Sequence, residues 1–413
     1  MMLNNNHLHW KLNLFLMWFS QILVWAGFAA VMPFIPLFMK EKLGLTEAGE
    51  LAVWISSFNF FGTLGYALFC PIWGALSDRF GVKPMLLRGT FGTAFIFPLM
   101  AWSSSALMLT VLRFASAAMA GTTAAAQILL VKNTPENKQG FALGVLSTAI
   151  WGGSMLGNVV GGIIVHYYGY AFTFIACGVM YFLAGIAVLP AREDFKPIIR
   201  KTQDTGSRFA IPKFTTAVWM LLTLMLLTGL VRYVEVPYLA MLVEAITGPK
   251  TAAYYTGIIS GFVAVGALLS GMLTGYLADK VRPLYILVPS FAISVITLLL
   301  HTYAENLYVL GISRTIMYLA AGGTLSVLQK LLSAATPCRK RGKVFGFSST
   351  ANSAGVMLST IVAGGAMMID GVRGIFLTAA ILTLALMPGY WLVLKSLMHQ
   401  KYFASQYKKI LGK

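Results

Sequence analysis

Three polar side chains recur on one face of a long apolar stretch in the middle of the chain. Thr228, Arg232 and Glu235 lie at positions i, i+4 and i+7, which an α-helix places on one side. Ionisable groups are costly in hydrocarbon, so such a stripe is expected to face a cavity or a partner. The chemistry that it predicts is reversible proton binding, with Glu235 as the carrier and Arg232 as its charged neighbour. A static Arg–Glu pair is the alternative.

The elements that must position these residues are membrane-spanning helices. Of the 413 residues, 58% are hydrophobic and only 11% are charged, and the mean hydropathy is +0.77. A span needs about 20 apolar residues, and its backbone must satisfy its own hydrogen bonds, which favours helices. We predict twelve spans, at residues 12–38, 51–75, 84–102, 107–131, 139–165, 171–190, 214–242, 252–277, 283–303, 307–333, 343–369 and 373–397.

The basic residues are distributed unequally between the two predicted membrane faces. Of 31 Lys and Arg residues, 24 fall on the side of the amino terminus. The opposite side holds four, and the spans hold Arg113, Arg232 and Arg314. Positive charge favours the cytoplasmic side, so both termini are predicted to be cytoplasmic in a bacterial inner membrane. The net charge of +18 therefore indicates topology rather than nucleic-acid binding.

The chain contains an internal repeat. GALSDRFGVKP from Gly74 matches GYLADKVRP from Gly275, and Arg113 matches Arg314, both at an offset of 201 residues. Met32-Pro33-Phe34 similarly matches Val236-Pro237-Tyr238. The longest hydrophilic break predicts a cytoplasmic linker at 191–213, between six-helix bundles at 1–190 and 214–413. Repeats of this kind place a substrate site near the midplane between the halves; an inert anchor or a channel is the alternative.

The segment from Gly74 to Lys83 resembles the loop 2–3 signature of the major facilitator superfamily. The resemblance implies an all-α membrane protein with the major facilitator fold, twelve transmembrane helices in two pseudo-twofold-related six-helix bundles. It also implies a conformational gate, in which Asp78 caps helix 11 near Gly342 and latches the outward-open state. A solvated charged turn is the alternative. The gate residues are Gly74, Asp78, Arg79, Gly81 and Lys83.

Glycines in predicted helix 5 resemble the motif of the drug:proton antiporters, and the likeness extends to MdtG-like twelve-helix exporters. The motif positions are Gly144, Gly153, Gly157, Asn158, Gly161 and Gly162, where Asn158 replaces the proline usual in that family. Small residues allow helices to approach closely. We therefore expect contact with helix 8, whose own glycines are Gly257, Gly261, Gly271 and Gly275.

The resemblance also assigns candidate residues to coupling and to binding. Arg113 matches a position proposed to take part in proton transfer, although its symmetry mate Arg314 makes a structural role an open alternative. Cavities in the family are lined by helices 1, 4, 7 and 10. The cavity candidates are Gln21, Trp25, Phe28, Tyr233, Tyr238 and Tyr318. An aromatic cavity would suit amphipathic, aromatic or cationic molecules, whereas packing is the alternative for these side chains.

The expected function is proton-coupled export of amphipathic, drug-like small molecules by alternating access. An importer or facilitator of a small metabolite, an exporter of one specific metabolite, and a membrane enzyme are the alternatives. No G-x-x-x-x-G-K-[ST] loop occurs, so we do not expect ATP to drive the cycle from within this chain. The resemblance implies that the proton gradient is the energy source. We expect no cofactor, no metal, no enzymatic activity and no nucleic-acid partner, and a monomer whose partners are the substrate, protons and the lipid bilayer.

Overall fold

The computed structural model describes residues 4–135, 138–193, 214–336 and 341–399. Regular structure within these ranges is entirely helical. The predicted linker beyond residue 193, Cys338 and the tail after residue 399 lie outside them. The face that holds the α2–α3 connection is called the inner face here, and the opposite one the outer face.

The amino-terminal half contains six helical segments. They are α1 (Asn4–Val31, continued by Met32–Phe34 and Ile35–Lys42), α2 (Ala48–Phe80), α3 (Val82–Met100), α4 (Ala106–Met119 and Thr122–Asn133), α5 (Gln139–Tyr168) and α6 (Tyr170–Val188).

The carboxy-terminal half repeats this order. Its segments are α7 (Thr216–Tyr233, continued by Val236–Tyr238 and Leu239–Thr247), α8 (Pro249–Lys280), α9 (Leu284–Thr302), α10 (Leu307–Ala321 and Thr324–Ala334), and α11 and α12, which share the continuous run Arg341–His399. That run turns at Gly371, whose φ of 66° only glycine adopts readily. We therefore divide it into α11 (341–370) and α12 (372–399).

Nine helices of the described ranges are long and apolar enough to cross a membrane. One of them, Val344–Ser396, is 53 residues long and contains the turn at Gly371, which is enough chain for two crossings. Helices α3 and α10 fall outside the nine. The all-helical membrane fold is confirmed, whereas the count of twelve crossings stays a prediction.

Two pairs of matching helices are interrupted at matching places. Helices α1 and α7 both pass through a short 3₁₀ turn that contains a proline, Pro33 in one and Pro237 in the other. Proline lacks the N–H that a continuous helix would use. Helices α4 and α10 break at Gly121 and at Gly322. The two halves thus share the positions of these helix interruptions as well as the sequence repeat.

An arginine from a neighbouring helix binds a carbonyl oxygen at each of the α4 and α10 breaks. Arg88 donates from Nη2 to the Ala120 oxygen at 3.3 Å, and Arg232 donates from Nη1 to the Gly322 oxygen at 3.1 Å. The last carbonyls of a helix lack intrahelical partners and carry partial negative charge. The two guanidinium groups therefore satisfy backbone oxygens that the breaks leave exposed.

The glycine motif of α5 packs against the backbone of α1. A Cβ atom built on Gly153 would lie 2.6 Å from the Ile22 oxygen, and one on Gly157 would lie 2.1 Å from the Ala26 oxygen. Gly161 repeats this contact one turn later, with a Cβ at 2.4 Å from the Ala30 oxygen. No side chain fits at these distances, so the glycines set the spacing between the two helices.

The same helix also contacts α8 in the other half of the molecule, as predicted. A Cβ on Gly162 would lie 3.0 Å from the Gly257 Cα, and a Cβ on Gly261 would lie 2.5 Å from a methyl carbon of Val159. A Cβ on Gly144 or Gly271 would meet nothing within 4 Å in the described structure. Only the outer part of the predicted glycine surface thus forms the joint between the halves.

Substitution of Gly157 by alanine is expected to destabilise the protein, because the new methyl group would overlap the Ala26 carbonyl. Overpacking of this kind costs about 1–3 kcal/mol. Thermal unfolding of purified protein in detergent measures the effect. Gly144→Ala is the matched control on the same helix and should melt like the wild type. Equal melting temperatures for both variants would contradict the close α1–α5 contact.

Candidate substrate cavity and proton site

The two halves are joined at their outer ends by two polar contacts, which together are called the outer seal here. Lys40 Nζ donates to Glu244 Oε1 at 2.8 Å, which links the end of α1 to the end of α7. The Ser56 and Tyr238 hydroxyls lie 3.3 Å apart, between α2 and α7. Tyr238 is only 1% exposed. It was expected to line the cavity, but the 3₁₀ turn at Pro237 directs it into this outer seal.

A cavity of about 590 Å³ lies between the halves on the inner side of the seal. Helices α1, α2, α4, α7 and α11 contribute most of its wall, and Gln127 and Ser349 on that wall are exposed. The cavity therefore opens toward the inner face. Among the predicted cavity residues, Trp25, Phe28 and Tyr233 line it. Its volume lies in the range typical of sites for drug-sized ligands.

Gln21 supports the cavity wall without lining it. Its side chain is fully buried, and its Oε1 accepts a hydrogen bond from Thr123 Oγ1 at 2.8 Å. Thr123 in turn accepts a hydrogen bond from the Trp25 indole at 3.1 Å. Through Thr123, Gln21 thus fixes the orientation of the Trp25 ring.

Arg113 also lines the large cavity, where aromatic rings surround it. Its guanidinium carbon lies 5.2 Å from the centre of the Phe28 ring and 5.7 Å from that of Phe58. A Cβ on Gly62 would lie 2.5 Å from Arg113 Nε. Gly62 therefore provides the space that the guanidinium occupies.

Glu235 forms an ion pair with Arg314. Its Oε2 lies 2.6 Å from Arg314 Nη1, and the two side chains are 2% and 3% exposed. Neither carboxylate oxygen accepts an aligned hydrogen bond from the described part of the chain. The attraction between opposite charges in a medium of low dielectric constant therefore holds the pair.

Arg232 does not pair with Glu235, which differs from the expectation for a continuous helix. The regular helix ends at Tyr233, and Glu235 precedes the 3₁₀ turn with φ of −93° and ψ of −18°. This change of geometry directs the carboxylate toward α10. Arg232 binds the Gly322 carbonyl instead, and Arg314, which the sequence analysis did not connect with Glu235, supplies the counter-charge.

A second, smaller cavity of about 50 Å³ lies beside the ion pair. Thr228, Arg232 and Glu235 line it together with Tyr318. The predicted polar stripe of α7 therefore faces an internal space, and Tyr318 belongs to this space rather than to the large cavity. A volume of this size can hold water.

The repeat places Arg113 and Arg314 in equivalent positions with different surroundings. At the offset of 204 residues that relates α1 to α7, Glu235 corresponds to Val31 and Arg232 corresponds to Phe28. The amino-terminal half therefore has apolar side chains at the positions of the carboxylate and of the arginine that caps a helix in the other half, and it keeps only the arginine of the ion pair.

The predicted gate loop is held by a carboxylate that the sequence did not single out. Gly81 adopts φ of 98° between α2 and α3. Glu193 accepts hydrogen bonds from the backbone N–H groups of Val82 at 2.8 Å and Lys83 at 2.7 Å, so it caps α3. Lys83 Nζ donates to the Leu189 oxygen at 2.7 Å. The signal for Glu193 was an acidic residue just after the sixth span.

The remaining gate residues lie at the inner end of α2. Asp78 is half-buried, whereas Gly74 and Arg79 are exposed. The Arg79 guanidinium lies 5.2 Å from the centre of the Phe80 ring. Helix α11 begins at Arg341, close to the predicted start near Gly342. The cap that Asp78 was expected to form on that helix stays a prediction.

Comparison with known proteins agrees with this architecture. The model of the Major Facilitator Superfamily matches residues 17–274 and 250–405. The chain belongs to the Major Facilitator Superfamily. Multidrug resistance protein MdtG of Enterobacter lignolyticus is 29% identical to it over 384 residues, which cover 91% of each chain. Escherichia coli MdtG is also 29% identical, over 91% of this chain and 93% of its own.

Solved structures share the fold of this Major Facilitator Superfamily protein. A mutant of the nucleoside transporter NupG has a TM-score of 0.75 at 13% identity, over 93% of this chain and 99% of its own. A D-xylose-proton symporter has the same TM-score and identity, over 93% and 97%. The chain is thus an integral membrane protein with the fold of a transporter.

Removal of one partner from the Glu235–Arg314 pair is expected to destabilise this Major Facilitator Superfamily protein. An unpaired buried charge costs about 3–5 kcal/mol, whereas loss of both charges is nearly neutral. Glu235→Leu should therefore melt at a lower temperature than the wild type, and Glu235→Leu combined with Arg314→Met should recover most of the difference. A double variant as unstable as the single one would contradict the pairing.

Proposed function

We propose that this protein exports amphipathic, drug-like small molecules in exchange for protons by alternating access. The two MdtG relatives are named multidrug resistance proteins, and they align with nearly the whole chain. The basic loops make the inner face cytoplasmic, so the cavity opens toward the cytoplasm. A substrate would enter there and leave at the outer face after the seal opens.

The observation that carries this proposal is the separation of the substrate space from the proton site. The cavity of about 590 Å³ lies between the halves, whereas Glu235 borders a different space of about 50 Å³ in the carboxy-terminal half. Tyr233 lines the large cavity, and Glu235 follows it by two residues on α7. This short connection along α7 is the path by which the proposed cycle couples the ion pair to the substrate wall.

The ion pair links protonation to conformation. Glu235 attracts Arg314 only while it is ionised, so the inward-open arrangement corresponds to the state that has released its proton. Protonation removes this attraction and frees α7 to move relative to α10. The outer end of α7 holds Glu244, which pairs with Lys40. Movement of α7 would thus be transmitted to the outer seal.

The energy source in this scheme is the proton gradient, and no cofactor takes part. One chain supplies both walls of the cavity, so a monomer is sufficient for the cycle. Both termini lie in the cytoplasm. An importer of a small metabolite would run the same steps in reverse, and a facilitator would run them without proton coupling. The direction of transport distinguishes export from import.

Glu235→Gln is expected to abolish proton-driven transport, because an amide cannot carry the proton or pair with Arg314 as an anion does. The measurement is substrate-dependent proton movement in proteoliposomes with an imposed pH gradient. Glu50→Gln, at an exposed position near the start of α2, is the control and should retain the wild-type rate. Wild-type coupling in Glu235→Gln would remove this carboxylate from the mechanism.

A cross-link across the outer seal is expected to block transport. Lys40→Cys and Glu244→Cys would be combined in a protein in which Cys70, Cys177 and Cys338 are replaced by serine. A short, cleavable thiol cross-linker should stop transport, and a reductant should restore it. Each single cysteine variant treated in the same way is the control. Full transport by the cross-linked protein would contradict alternating access through this seal.

A further inference from the structure

We propose that the large cavity selects organic anions, and that Arg113 binds their acidic group. The inference rests on the proposed function, since it names the class of substrate that the exporter takes. It differs from the role in proton transfer that the family resemblance implies for Arg113. It also narrows the range expected from the aromatic residues alone, which included cations.

The charge of the cavity wall is the first observation. Arg113 is the one charged side chain among the described residues that line the cavity, and no carboxylate of those residues lies on this wall. An ammonium group in the cavity would be repelled by the guanidinium, and no described carboxylate on the wall would offset that repulsion. An acidic group would be attracted to it. The sign of the field therefore favours anions.

The surroundings of Arg113 are the second observation. Its Nε is buried without a hydrogen-bond partner in the part of the chain that the structure describes. Phe28 and Phe58 contact the guanidinium through their rings, which attract a cation but accept no strong hydrogen bond. A partly desolvated charge of this kind is costly without a counter-charge. A bound anion would supply one.

The internal repeat is the third observation. The equivalent arginine, Arg314, lies 2.6 Å from the carboxylate of Glu235. In the amino-terminal half, the position equivalent to Glu235 is Val31, which cannot carry charge. The chain thus neutralises Arg314 with its own carboxylate and leaves Arg113 directed toward the substrate space. An anionic substrate supplies the counter-charge that Arg113 lacks.

The rest of the wall suits a molecule with an aromatic body. Trp25, Phe28 and Tyr233 provide ring surfaces, and Thr63 and Ser353 provide hydroxyl groups. A ligand site of this type combines mostly apolar contacts with a few polar groups that fix orientation. An aromatic or amphipathic carboxylate or sulfonate matches this arrangement. Arg113 would hold the acidic group by charge-assisted hydrogen bonds.

Export of an anion has a consequence for the driving force. Outward movement of one negative charge and inward movement of one proton both transfer positive charge inward. The membrane potential, which is negative inside, therefore favours both movements. With a neutral substrate of the same size, the membrane potential would act only on the proton.

The test uses three ligands that share one naphthalene ring and differ in charge: 2-naphthylacetate, 2-naphthylacetamide and (2-naphthylmethyl)trimethylammonium. Their dissociation constants are measured by calorimetry on the purified full-length protein in detergent. We expect the dissociation constant of the carboxylate to be at least about 10-fold lower than that of the amide, because of its hydrogen bonds to a charged group. The ammonium compound should bind most weakly.

Arg113→Gln should remove this preference and leave amide binding within about twofold of the wild type. Lys11→Gln, which removes a positive charge from an exposed position near the start of α1, should retain the preference. Arg113→Lys should keep part of it, and it replaces Arg113→Gln if the latter does not fold. Equal binding of all three ligands to the wild type, or equal loss for all three in Arg113→Gln, would overturn the proposal.

Glu235→Gln separates this proposal from the proposed function. In that variant the anion preference should persist in the binding measurement while proton-driven transport is lost. If the wild type exchanged protons for neutral or cationic compounds and showed no anion preference, the export function would stand and the assignment of Arg113 would fall. If the anion preference were present without proton coupling, the assignment of Arg113 would stand and the proton-coupled export function would fall.

Discussion

Every charge inside the membrane needs compensation, and this constraint organises the molecule. The carboxy-terminal half meets it internally, because Glu235 and Arg314 form a buried ion pair. The amino-terminal half surrounds Arg113 with the Phe28 and Phe58 rings at the edge of the large cavity. The two halves share the internal repeat, but they compensate the charge of their equivalent arginines in different ways. In the proposed mechanism, that difference separates the proton site from the substrate space.

Backbone geometry places these charges. The 3₁₀ turn in α7 directs Glu235 toward α10, and the break at Gly322 exposes the carbonyl that Arg232 binds. Glycines then fix the spacing between neighbouring helices. Gly157 brings α5 against α1, and Gly162 brings it against α8. Contacts between backbones leave little room for adjustment, so the glycines hold these helices at fixed distances from one another.

Much of the architecture was accessible from the sequence. Apolar runs predicted the helices, because each span must bury its own backbone hydrogen bonds. The repeat showed a proline at the same place in α1 and α7, and the structure has a 3₁₀ turn at each of them. The family signature predicted the gate loop, which turns at Gly81. Glu193 was missed as its cap, because a carboxylate beyond a span carries no periodic signal that identifies its partner.

The sequence by itself determined the all-helical membrane fold, the repeat, and the buried position of Glu235, because hydropathy and spacing are properties of the local chain. The tertiary structure alone decided that Arg314 rather than Arg232 pairs with this carboxylate, that Tyr238 closes the outer seal, and that Arg113 faces the cavity. Each of these depends on where a helix bends and which neighbour it meets. A change in the backbone dihedral angles at a break redirects a side chain to another helix, and residue spacing along the chain does not encode that change.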